Sequence, residues 1–279
     1  MSQLKSGITG AAWATVISQY VGVTYLLTKG LFRLEKSLVK HNLGKLSIRN
    51  IKKSIQLPNK SEIKSFVSFT SPLLFVLFTK CFLWSFTTYV TSAFGADSLA
   101  AHQIVISFFL YFTIFGDVVS TMSQNFLPSF LSVTNSINKN GKKLLLKIFS
   151  ISFIAGISNS LLGFALPYVF PHLFTKSGSV VSIMKSIAFP LAFATIPHSL
   201  LTAIEGVLIS VKDLNFLFLF YNVFAFYFIV AQSIVLKYNF GLLGVWWAMA
   251  SYQWLRLLVF STRLYRTTLS AAGSADAPA

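Results

Sequence analysis

Three ionisable residues lie inside long apolar runs where a membrane helix normally carries none: Lys80, Asp117 and Glu205. Placing such a group mid-bilayer costs roughly 2.5–3.5 kcal/mol on insertion scales, so it usually faces a bundle interior and a solute path. A buried carboxyl beside an ammonium can be set to load and release protons. Asp117 and Glu205 are therefore candidates for binding a coupling proton or cation. Lys80 is a point charge on a flexible stem, suited to the carboxylate of a substrate or of a neighbour. The structural alternative is an ion pair in which Lys80 and a carboxylate simply hold helices together. Glu205 also lies about two turns before Lys212, close enough to reach the headgroup region.

Polar residues recur around these three at helical spacing. Lys80, Trp84, Thr87 and Thr91 share one face, Thr113, Gly116, Asp117, Ser120 and Gln124 a second, and Thr195, His198, Thr202 and Glu205 a third. Lipid cannot solvate such faces, so they must turn toward one another or toward water. The expected result is a hydrophilic cavity with Asp117 and Glu205 as coupling groups. Its substrate-binding residues are expected to be Lys80, Trp84, Thr113, Ser120, Gln124, His198 and Thr202. His198 and His102 also have an ordinary packing reading. The chain has no Gly-rich phosphate loop, zinc-ligand spacing or nucleophile elbow, so neither an enzyme, a metal site nor a cofactor is expected.

The elements that must position these residues follow from composition. The chain has 279 residues, of which 54% are hydrophobic and only 11% charged. A soluble domain carries about 25% charged residues. Apolar runs of about twenty residues recur, which makes this an all-α, polytopic membrane helix bundle. The formal charge of +16 would suggest nucleic acid in a soluble protein. Here the basic residues concentrate in a few loops and report membrane orientation, so the bilayer, and not nucleic acid, is the expected partner. The single cysteine, Cys81, excludes an internal disulfide.

About seven transmembrane segments are expected, near 7–28, 66–94, 98–132, 143–170, 179–211, 213–237 and 240–265. The stretch from Lys29 to Lys64 carries ten Lys/Arg against Glu35 and Glu62 and reads as a basic cytoplasmic or stromal loop. Basic residues also gather at Lys139–Lys143 and at Arg256, Arg263 and Arg266, which places the C-terminus on the same side and the N-terminus opposite. The first and last segments match at one constant offset: Gly7, Gly10, Trp13, Ala14 and Gln19 against Gly241, Gly244, Trp247, Ala248 and Gln253. Membrane helices rich in Gly, Ala and Trp also match by chance; taken as an internal repeat, both segments close a six-helix unit. The expected organisation is then residues 1–28 as the last helix of a preceding lobe, 29–65 as the inter-lobe loop, 66–266 as a complete six-helix lobe, and 267–279 as a disordered tail.

At this point the residues carry a resemblance. Gly10-Ala11-Ala12-Trp13-Ala14-Thr15, Leu99-Ala100-Ala101-His102-Gln103-Ile104, and Phe115-Gly116-Asp117 with Ser123-Gln124-Asn125-Phe126-Leu127-Pro128 are similar to the multidrug and toxic compound extrusion (MATE) family. Glu205-Gly206-Val207-Leu208, Lys212-Asp213-Leu214-Asn215-Phe216 and Lys80 resemble its plastid-envelope branch in plants, which includes an exporter of salicylate or its precursor. The resemblance implies a secondary antiporter that moves an organic substrate against protons or sodium ions. It also implies two six-helix lobes, of which this chain would hold the C-terminal part, with an N-terminal lobe as the missing partner. Lys80 stands on a helix where many multidrug members carry an acid, which favours a small organic anion, aromatic in kind, over a cationic drug. The alternatives are a flippase for lipid-linked substrates of the same superfamily and a non-transporting fragment or regulatory partner.

Overall fold

The computed structural model describes residues 7–40, 58–131 and 137–266. Among them regular structure is helical: α1 (Gly7–Lys40), α2 (Lys60–Ser92), α3 (Ala96–Phe126), α4 (Lys139–Val169), α5 (Gly178–Thr195), α6 (His198–Ser210), α7 (Leu214–Lys237) and α8 (Gly241–Leu264), with short 3-10 turns at Leu127–Phe130 and Pro171–Leu173. The chain divides into two compact units, Met1–Ile63 and Lys64–Ala279.

Two expectations about boundaries change. The helix begun at Gly7 does not stop near residue 28 but continues to Lys40. Its extension, Lys29 to Lys40, is built from Leu, Glu, Lys and Arg, which favour helix even when they are too polar for lipid. The rest of the expected basic loop, 41–57, and the expected tail at 267–279 lie outside the described residues. The fifth apolar run is two helices, because Pro197 lacks the amide hydrogen and interrupts the backbone ladder between Thr195 and His198.

Among the described residues, five helical stretches are long and apolar enough to cross a bilayer: Lys60–Ser92, Ala96–Phe130, Lys139–Val169, Gly178–Ser210 and Leu214–Lys237. The chain is a multi-pass membrane protein. Helix α8 spans 24 residues, enough to cross at about 1.5 Å per residue. Its apolar character is diluted by Tyr252, Gln253 and Arg256, all buried inside the bundle and away from lipid. Conversely, large side chains such as Phe78, Leu161, Phe226 and Leu258 are more than half exposed on the outer faces, as a lipid-facing surface requires.

Turns are made by local chemistry. Gly95 at φ 94° joins α2 to α3, while Asn239 at φ 53° and Gly241 at φ 63° turn α7 into α8. The Asn138 side chain accepts from the Gly141 amide at 2.8 Å and caps α4. Inside the second unit, α6 is the central element, with Leu201 through Leu208 all buried. A helix buried on every side must be apolar or pair its polar groups, and it must be small where neighbours come close. Gly116 of α3 faces Thr202, and Gly206 of α6 faces Ser120, so each helix offers a glycine to the other's hydroxyl residue.

A Cβ at position 206 would stand 2.8 Å from the Ser120 Cα and 2.5 Å from its carbonyl oxygen. Gly206→Ala is therefore expected to lower the thermal midpoint of the detergent-solubilised protein by an amount equivalent to about 1–3 kcal/mol. Intrinsic helix propensity alone would raise it.

Candidate functional site

The polar faces converge on a buried carboxylate. Glu205 points from α6 into the space between α2, α7 and α8, with its side chain only 6% exposed. Lys80 Nζ of α2 donates to Oε1 at 2.7 Å. On the other oxygen, Tyr221 OH of α7 donates to Oε2 at 2.8 Å, and Arg256 Nη2 of α8 donates at 3.3 Å. Arg256 Nη2 also donates to the Tyr221 hydroxyl. Four helices are thus tied through one carboxylate. An ion this deep is tolerable only because both oxygens carry charged or hydroxyl donors.

The two cations differ. Arg256 is enclosed, at 5% side-chain exposure, with its guanidinium over the rings of Tyr221 at 4.7 Å, Tyr252 at 5.0 Å and Phe260 at 5.6 Å. Aromatic faces hold a guanidinium by cation–π attraction and leave little freedom to swing. Lys80 is 32% exposed, and besides Glu205 it lies 5.4 Å from the centre of the Tyr221 ring. The fixed cation therefore anchors Glu205, while the reachable one borders open space.

That space is a cavity of about 130 Å³ lined by Lys80, Trp84, Thr113, Asp117, His198 and Thr202, together with Tyr252, Gln253, Arg256 and an apolar wall. Leu83, Leu110, Phe228 and Met249 form that wall. Trp84 is braced against Phe109, with ring centroids 5.1 Å apart. The hydroxyls of Thr113 and Thr202 donate to backbone carbonyls one turn earlier, to Leu110 at 2.7 Å and to Ser199 at 3.0 Å. Asp117 is exposed at the cavity, and its carboxylate has no hydrogen bond or ion pair among the described residues. Lys80 pairs with Glu205, so the structural alternative of an ion pair with Lys80 applies to Glu205 and not to Asp117.

A chain of donors fixes one more group. Arg256 Nη1 donates to the amide oxygen of Gln253 at 3.2 Å, which turns the Gln253 amide nitrogen toward His198 Nδ1 at 2.9 Å. The His198 ring then accepts at Nδ1 and carries its proton on Nε2, which is buried without a partner among the described residues. The Arg256 Nε–H is likewise buried and unpartnered.

Six of the nine expected residues line this one cavity, and Glu205 forms its anchor below Lys80. Ser120 and Gln124 do not reach it. They sit further along α3, where Gln124 Nε2 donates to Ser120 Oγ at 3.2 Å and Ser120 packs on Gly206. Thr87 and Thr91 bond back to Leu83 O and Thr87 O and serve their own helix. The sequence reading missed Arg256, Gln253, Tyr252 and Tyr221. It counted Arg256 among the charges at the membrane edge, whereas the structure buries it two turns before Arg263. Arg263 is the residue at the helix end, donating from Nε to Asp213 Oδ2 at 2.7 Å. The signal available was the Gln253–Arg256 spacing of three, which puts both on one face of α8.

No family model matches the chain. Over 264 residues it is 27% identical to Protein DETOXIFICATION 47, chloroplastic, of Arabidopsis thaliana, covering 94% of this chain and 45% of that protein. Protein DETOXIFICATION 44, chloroplastic, of the same plant is 25% identical over 94% of this chain and 46% of its own length. The chain is thus similar in sequence to two plant proteins named DETOXIFICATION and chloroplastic. It spans about half the length of the curated relatives it matches. Its fold is shared with the outward-facing structure of a multidrug resistance MATE family transporter of the MOP superfamily, at TM-score 0.63 and 18% identity over 74% of this chain and 46% of the other. It is shared also with a MOP superfamily transporter from Pyrococcus furiosus Vc1, at TM-score 0.62 and 17% identity over 72% of this chain and 44% of the other. The resemblance first seen in its motifs extends to sequence similarity with these plant proteins and to the fold of the two solved transporters.

Tyr221 bridges the anchor and both ends of the charge network. Tyr221→Phe keeps the ring under Arg256 and removes the hydroxyl. It is expected to cost about 1.5–3 kcal/mol, the worth of a hydrogen bond to a charged group. Thermal unfolding in detergent measures the loss, and an unshifted midpoint would mean that the bond contributes nothing.

Proposed function

We propose that this chain is one lobe of a MATE-type secondary transporter that carries a small organic anion, aromatic in kind, in exchange for protons. The observation that carries the reading is the Lys80 ammonium at the cavity edge, reachable from open space and already engaged with a carboxylate. A substrate carboxylate can take the place of the Glu205 oxygen at Nζ, while Arg256 and Tyr221 keep Glu205 in position. The unpartnered N–H of His198 offers a second donor, and Leu83, Trp84 and Phe228 offer an apolar wall for a ring. The cavity, about 130 Å³, is close to the roughly 150 Å³ of an engineered apolar cavity known to bind benzene.

Asp117 supplies the coupling group. It faces the same cavity, and its carboxylate carries no hydrogen bond or ion pair among the described residues. Alternating access then rocks this lobe against a second one, with the cavity at their junction. The second lobe, expected from the length of the relatives, is the implied partner. The plastid envelope is the proposed location, since both plant relatives are named chloroplastic.

The test is transport in proteoliposomes containing the two-lobed protein, with benzoate as probe anion and an imposed pH gradient. Lys80→Gln is expected to raise the KM for benzoate about tenfold, the effect of losing about 1.4 kcal/mol of charge-assisted binding. Asp117→Asn is expected to abolish the response to the pH gradient while leaving benzoate counterflow intact. Unchanged pH-driven exchange in Asp117→Asn would remove Asp117 from the mechanism. Failure of the unsubstituted protein to move any anion, with stable association with a helical partner, would favour a non-transporting role.

A further inference from the structure

The break between α5 and α6 leaves a specific polar atom without its helical partner. In a continuous helix, the amide of residue 197 would donate to the carbonyl of Phe193. Position 197 is proline and has no amide hydrogen. The Phe193 carbonyl instead accepts from the indole Nε1 of Trp254 on α8 at 3.0 Å. The same indole stacks on the Phe193 ring, with centroids 5.2 Å apart and planes 29° from parallel. On either side of the break the ladder is intact: Ile196 N–H donates to Ala192 O at 3.3 Å, and Leu201 N–H donates to Pro197 O at 2.8 Å.

Helix α8 therefore grips the broken helix at three heights. Trp254 holds the last turn of α5, Gln253 holds His198 at the first residue of α6, and Arg256 holds Glu205 two turns further on. On the opposite side, Gly156 of α4 faces the Ile196 carbonyl directly, with no room for a Cβ. A backbone carbonyl pointing at a neighbouring backbone, beside a proline, marks a place where two helix segments change direction by design of the sequence.

We propose that Ile196–Pro197 is a hinge and that Trp254 is its latch, a positioning residue that sets the angle at which α5 meets α6, the helix that carries His198, Thr202 and Glu205 to the cavity. The geometry stands by itself; its consequence for turnover rests on the transport reading above. While the indole is bound to the Phe193 carbonyl, the angle between α5 and α6 is fixed. Release of that bond frees the end of α5 to pivot about Pro197, while Gln253 and Arg256 still hold α6 to α8.

The experiment compares amide hydrogen exchange at Ile196 and Leu201 in the nanodisc-embedded protein with benzoate transport by the same variants in proteoliposomes. Trp254→Phe retains the ring and removes the donor. It is expected to speed exchange at both amides about fivefold, the effect of losing one ordinary hydrogen bond. It is also expected to change the maximal rate of benzoate transport more than its KM. Adding Pro197→Ala to Trp254→Phe returns a backbone donor to the Phe193 carbonyl, so protection should recover. Transport should not recover, because the helix is then continuous. Unchanged exchange in Trp254→Phe would overturn the latch, and recovery of full transport in the double variant would overturn the hinge. The exchange readout needs no substrate, so failure of the unsubstituted protein to transport would count against the transport reading alone.

Discussion

A carboxylate buried among helices in a membrane must be satisfied from within the protein, and this requirement organises the second unit. Glu205 is met by one ammonium, one guanidinium and one phenol, contributed by α2, α8 and α7. Each of these groups is itself held: Lys80 over the face of Tyr221, Arg256 among three rings, and Tyr221 between its two charged neighbours. The helix that carries Glu205 is the most enclosed in the bundle, and its contact with α3 depends on reciprocal placement of Gly116 and Gly206. Charge satisfaction and close packing are therefore properties of the same few residues.

The two cations around Glu205 are unequal. Had both been caged, the network would be a structural tie. Had both been open, Glu205 would lack an anchor. Arg256 fixes Glu205, and Lys80 stands at the edge of a cavity with one polar end and one apolar wall, where the proposed function has it shared with an incoming anion. Asp117 faces the same cavity without joining the hydrogen-bonded network around Glu205. The α5–α6 break adds a mechanical element, since the residues that line the cavity from α6 begin immediately after Pro197.

Much of this was legible in the sequence because the bilayer imposes a simple rule. Charges inside apolar runs named Lys80, Asp117 and Glu205, and helical spacing brought Trp84, Thr113, His198 and Thr202 to the same place. The rule failed where it depended on depth. Arg256 stands close to two further arginines near the end of the last apolar run, so it read as a membrane-edge charge, although it is the deepest cation. Tyr221 was invisible because an aromatic residue among Phe216, Phe218, Phe220 and Phe224 carries no polar signal until its hydroxyl meets Glu205. Ser120 and Gln124 continued the right stripe too far: helical spacing gives the face of α3 but not the height at which the cavity closes. The helical extension to Lys40 was missed for a related reason, since loss of hydrophobicity was read as loss of helix.

The anchor itself is open to a direct measurement. A double-mutant cycle on Glu205→Gln and Arg256→Met, read by thermal unfolding of the detergent-solubilised protein, isolates the coupling between the two buried charges. Either single change strands a buried charge or its donors and should cost about 3–5 kcal/mol, whereas the double change removes both and should cost far less than the sum. Additive losses would show that Arg256 and Glu205 act independently, and would contradict an account in which one carboxylate holds the lobe together.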